Sequence, residues 1–152
     1  MGRKKQTYQP HQRRPNSSVA FVQVFHDMLD SPAFHDLTAK QVQLFLYCLR
    51  ETHGRATADD PQHDTARFYF NRHLQTVVHE LYAPSDYRGF ERDMQSLIEH
   101  GFCDMVSSGY ATKEKNVYRL SSRWHHWGSK AFSMPESCMS THQKIARRKC
   151  DG

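Results

Sequence analysis

The 152-residue sequence holds only four cysteines, Cys48, Cys103, Cys138 and Cys150, and none are paired at Cys-x-x-Cys spacing. That spacing excludes a dense disulfide framework and the usual structural zinc patterns. No run of about 18 apolar residues occurs, so no transmembrane helix is expected. The basic start is followed by no apolar stretch, so no secretory signal is expected either. Together these absences lead us to expect a reducing, cytoplasmic setting. Hydrolytic signatures are missing too: there is no Gly-x-Ser-x-Gly, no Walker loop and no His-Glu-x-x-His. A nicking initiator needs a paired-histidine metal site beside a nucleophilic tyrosine. Tyr82, Tyr87 and Tyr110 are present, but His-x-His is not. Eleven histidines are many, yet the adjacent His125 and His126 would point apart on an extended segment. The expectation is a protein that is no enzyme, with no metal, no cofactor and no small-molecule substrate. There is no internal repeat and no heptad pattern.

What is present is basic charge, unevenly placed. The net charge is +5. Residues 1–14 carry +5 through Arg3, Lys4, Lys5, Arg13 and Arg14. Residues 141–152 carry +3 through Lys144, Arg147, Arg148 and Lys149 against Asp151, which leaves −3 on 15–140. Residues 1–18 and 131–152 therefore read as basic disordered tails, and 19–130 as one domain. A claim that the middle binds nucleic acid must rest on where its charges sit rather than on the overall charge.

Taken in order, 19–29 opens the domain with Phe21, Gln23 and Phe25 alternating. Ser31-Pro32 starts a short helical turn, with proline at the first helical position. Thr38 caps a helix whose stripe is Val42, Phe45, Leu46 and Leu49, ending at Gly54. Residues 52–65 form a polar loop. A short strand is expected at 67–70. Asn71 then caps a helix with Leu74, Val77, Val78 and Leu81, which Ala83-Pro84 breaks.

The next stretch, 85–120, organises the whole chain. Ser85 stands as an N-cap, and Phe90, Met94, Leu97 and Ile98 recur at i, i+4, i+7 and i+8, one helical stripe. Gly101 ends this helix, predicted over 86–100. A strand, a polar tip at 107–115 and a returning strand follow, so 102–121 reads as a β-hairpin. The order of helix, tight turn, helix and hairpin gives an α+β winged helix-turn-helix with a three-helix core and a small antiparallel sheet.

The exposed face of the 86–100 helix carries Arg88, Arg92 and Gln95. Arginine suits guanine edges and glutamine suits adenine. Ser85 and Tyr87 at the helix start, with Lys113, Lys115, Asn116 and Arg119 on the hairpin, are candidates for phosphate and wing contacts. Arg123 would extend that basic surface.

With those residues placed, 19–128 resembles the winged helix-turn-helix proteins of bacterial mobile elements, the replication-initiator-like and regulator-like proteins of plasmids and phages. The likeness rests on the Phe21-Val22 opening, the Leu29-x-Ser31-x-Ala33-Phe34 step and the Leu37-Thr38 cap. It continues in Phe68-Tyr69-Phe70, Ile98-Glu99-His100-Gly101-Phe102 and Tyr118-Arg119-Leu120-Ser121, with Trp124 and Gly128. The resemblance implies non-catalytic binding of double-stranded DNA, as a transcriptional regulator or in replication initiation. The alternative is a winged-helix protein–protein interaction module in a larger nucleoprotein assembly. A homodimer would use 19–29 or the Trp124/Trp127 end; both could equally be core, and Trp124 and Trp127 are expected to cover its open end.

Overall fold

The computed structural model describes residues 21–52, 67–69, 80–86, 88–109, 116–139, 144 and 147–149. They form a mixed α+β fold. In chain order the elements are α1 (His26–Leu29), α2 (Pro32–Asp36), α3 (Ala39–Thr52), β1 (Arg67–Tyr69), α4 (Gly89–Glu99), β2 (Cys103–Ser107) and β3 (Val117–Leu120). Two 3-10 turns follow, Arg123–His126 and Glu136–Cys138.

Local chemistry explains where the helices begin. The Ser31 hydroxyl accepts from the Phe34 N–H at 3.2 Å and donates to the Met28 carbonyl at 2.7 Å, so one side chain ends α1 and starts α2. Thr38 and Gln41 cap α3 reciprocally, at 3.3 and 3.0 Å, each side chain accepting from the other's backbone N–H. The stripe of α3 is inward as expected at Phe45 and Leu49, with Leu44 and Cys48 beside them, but Leu46 is 37% exposed. The helix packs on α4 and β1.

The sheet order is β1-β3-β2, antiparallel throughout. Phe68 faces Tyr118 across β1 and β3, their rings stacked 5.7 Å apart, and Met105 faces Tyr118 from β2. A bulge lies between Met105 and Ser107. Phe68, Tyr118 and Cys103 are buried and line the core side; Arg67 and Arg119 pair on the opposite, exposed face.

The join between α4 and β2 is the tightest point of the fold. The Phe102 N–H donates to the Leu97 carbonyl at 2.9 Å and the Gly101 N–H to the Ile98 carbonyl at 3.0 Å. This is the doubly bonded helix end that requires a left-handed residue, and Gly101 has φ +84°. A Cβ there would also stand 2.5 Å from the Trp124 backbone nitrogen. Glycine is needed for both torsion and space.

Several expectations need correction. The helix expected over 86–100 starts at Gly89, because 83–86 is a turn closed by the Asp86 N–H on the Ala83 carbonyl at 2.9 Å. The helix expected from Asn71 lies largely outside the described residues, as do the tip at 110–115, most of the loop 52–65 and the tail 1–18. Trp124, by contrast, is 6% exposed and belongs to the core as expected, which leaves it no part in a dimer surface.

The domain does not stop at 130. Cys138 is 4% exposed, and its Sγ lies 3.2 Å from the Met105 N–H, accepting a bond on the side of β2 that faces away from β3. Met134 packs on the same core. The segment thus covers a sheet edge that would otherwise be open to other chains. Ending the chain at 130 is expected to cost about 2–3 kcal/mol, roughly the full burial of the small Cys138 side chain and the partial burial of Met134. Urea unfolding measures it; an unchanged midpoint would remove the segment from the core. Among the described residues, no helix is long and apolar enough to cross a membrane.

Candidate nucleic-acid interface

The interface expected from sequence has α4 at its centre. Phe90, Met94, Leu97 and Ile98 are all buried, as the stripe requires. Ser85 is exposed in the preceding turn and does not cap the helix. Asp86 takes that role: its Oδ1 accepts the Gly89 N–H at 2.9 Å. The same carboxylate occupies the space a Cβ at residue 89 would fill, so glycine belongs at the first helical position. Arg88 has the N-cap place by backbone but makes no side-chain cap bond.

The outward side carries Arg88, Glu91, Arg92 and Glu99, all exposed. The Arg92 side chain is 73% exposed, with Nε 3.8 Å from Asp93 Oδ1. Gln95 is half-buried and donates to Glu99 Oε1 at 3.3 Å. The first half of the outward side therefore sets two arginines against Glu91, and the second half carries Glu99 bonded to Gln95. Asn116 does not reach outward freely: its Oδ1 accepts from the Gly109 N–H at 2.9 Å, and its amide nitrogen donates to the Tyr118 hydroxyl at 3.3 Å. It ties the two strands together where they leave for the tip. Arg119 is exposed on β3, facing Arg67 on β1 and Asp104 on β2. Tyr87, Lys113 and Lys115 lie outside the described residues. The structure thus groups Ser85, Arg88, Arg92 and Gln95 on the turn and α4, and places Asn116 and Arg119 on the hairpin.

Two features escaped the sequence reading. The first is a buried carboxylate. Asp93 is 4% exposed, accepts from the Tyr82 hydroxyl at 2.7 Å and from Gln41 Nε2 at 3.3 Å, and so ties the turn and α3 to α4. Burial, and then the bond to Asp93, push the Tyr82 phenol well above its ordinary range. Lys40 Nζ sits 4.4 Å over the Tyr82 ring. The signal was available: Asp93 falls within the apolar stripe, three residues from Phe90, where a charge needs internal partners. The second is Arg67, which only strand register could set beside Arg119.

Elsewhere burial raises the Tyr118 phenol to about 12 and pushes the Cys48 thiol up, which leaves that thiol inert. Among the described residues, no group of three or more His, Cys, Asp or Glu side chains is arranged to hold a metal. Arg123, expected on the basic surface, instead turns inward onto Asp104. Comparison with protein-family models, curated proteins and solved structures finds no match.

Proposed function

We propose that this protein binds double-stranded DNA without catalysis, as a winged helix-turn-helix protein with α4 as recognition helix and the β2–β3 hairpin as wing. The observation that carries the reading is the run of elements around α4. A tight turn leads into a helix with Arg88 and Arg92 exposed at its start, and an antiparallel hairpin flanked by β1 follows it at once. Exposed arginines one turn apart can address base edges and phosphates together. The resemblance to mobile-element proteins supplies the setting: transcription control or replication initiation.

The test is fluorescence anisotropy with duplexes selected from a random library. Arg92→Ala is expected to weaken the selected site by about 1–3 kcal/mol, roughly 5- to 150-fold, and to relax base preference there. Wild-type affinity and preference in both Arg88→Ala and Arg92→Ala would remove α4 from the groove.

A second reading, self-association or docking on a partner protein, is favoured by Phe21 and Phe25, each 55% exposed, and by Leu29 at 40%. Sedimentation of wild type against Phe25→Ser decides it: a dimer that the variant dissolves supports this reading.

A further inference from the structure

Strand β2 is one of the two edges of the sheet, and the 3-10 turn Glu136–Cys138 lies along it, held by the Cys138 sulfur against Met105. From this turn Glu136, with Met139 just after it, forms one wall of an open cleft of about 280 Å³. The remaining lining is cationic: Lys144, Arg147 and Arg148. Arg147 reaches back to the Met139 sulfur at 4.0 Å, which joins the two walls. Lys144 is half-buried, whereas Arg147, Arg148 and Lys149 are exposed. Among the described residues neither Lys144 nor Arg148 forms an ion pair, and Glu136 is the single carboxylate lining the cleft.

Cations gathered this closely repel one another, and an extended polyanion relieves that repulsion. The cleft also stands beside the outer strand of the hairpin rather than at the end of a free tail. We infer that Lys144, Arg147 and Arg148 form a second phosphate-binding surface, which extends the wing along the backbone of duplex DNA. The inference rests on the duplex-binding reading. It assigns this cluster to affinity and salt dependence and leaves sequence preference to α4.

The experiment is a salt series of anisotropy titrations on the full chain, with a random-sequence duplex and with the selected site. In the variant K144Q/R147Q/R148Q, the slope of log K against log salt is expected to fall by about 2.7, since each phosphate left without its cation removes roughly 0.9. Base preference should stay unchanged. Arg148→Gln alone replaces an exposed side chain and should lower the slope by about 0.9, which keeps the test valid if the triple variant folds poorly. A wild-type slope in both variants, while Arg92→Ala still weakens the selected site, overturns this inference and spares the duplex-binding reading. If the wild type binds no duplex at all, both fall.

Discussion

Replacing Arg123 with alanine is expected to destabilise the protein by about 3 kcal/mol, near the lower end for removing one partner of a buried ion pair. The guanidinium is a five-point clamp. Its Nε donates to Asp104 Oδ1 at 2.8 Å, and its Nη2 donates to the same oxygen, to the Ile98 carbonyl at 2.8 Å and to the Cys103 carbonyl at 3.3 Å. Its Nη1 donates to the Ser133 carbonyl at 3.1 Å. Ile98 lies in the last turn of α4, where the helix dipole favours a cation, and its carbonyl accepts from the Gly101 N–H as well. The side chains of Arg123 and Asp104 are only 16% and 23% exposed, so water replaces the missing bonds poorly. Alanine therefore leaves a carboxylate and three carbonyls short of a donor, and releases the segment that covers β2. Arg123→Lys should recover about half of the loss, because one ammonium cannot match the planar fork. A double-mutant cycle with Asp104→Ala separates the pair from the carbonyl bonds. Urea midpoints within about 0.5 kcal/mol of wild type for Arg123→Ala would sink the clamp, since that is the range of ordinary surface changes.

Phe102→Ala is expected to cost about 3–5 kcal/mol, a large share of the roughly 5–15 kcal/mol that holds a domain together. Phe102 is 0% exposed. Its ring lies 5.0 Å from Phe45, meets Phe34 edge-on at 6.2 Å and stacks on Trp124 at 6.0 Å. Those three come from α3, α2 and the first 3-10 turn, so one side chain closes the core between elements distant in sequence. Its backbone cannot shift to fill a void, because its N–H is bonded to Leu97 and its carbonyl accepts the Ser121 N–H at 2.9 Å. The cavity therefore stays open, which places the cost high in the range. Phe102→Leu should cost less than half as much. Thermal and urea unfolding of the two variants decide it. Equal stability of Phe102→Ala and wild type would mean that the ring is not the keystone of this packing.

The parts of the fold legible in the sequence were those set by neighbours in the chain. The stripe of α4, the glycine at 101, the Ser31-Pro32 start and the Thr38 cap all stand where spacing put them, because each depends on bonds that span only three to five residues. The start of α4 differs from the expected position for a related reason. Ser85 and Asp86 are both good capping residues, and the choice between them depended on a turn fixed by the Ala83 carbonyl. Among the proposed contact residues, Arg88 and Arg92 stand exposed as the helical wheel required. Asn116 and Arg123 did not keep the outward role, since both have polar partners that no local pattern reveals.

The sequence by itself determined the α4 stripe and its end at Gly101, the starts of α2 and α3, and the separation of basic ends from a mildly acidic middle. Periodicity, capping and charge counting act over a turn or two of chain, and a reader of the sequence sees them directly. Tertiary structure alone decided which charges are turned inward. Arg123 meets Asp104 and Asp93 meets Tyr82 and Gln41 only when α3, α4 and the sheet are packed together. It also decided that the chain beyond 130 belongs to the fold, because Cys138 finds its place only against a strand edge 33 residues earlier. A charged or sulfur-bearing side chain carries no local mark of its partner. Its role is fixed by desolvation and geometry, which exist only once distant segments meet.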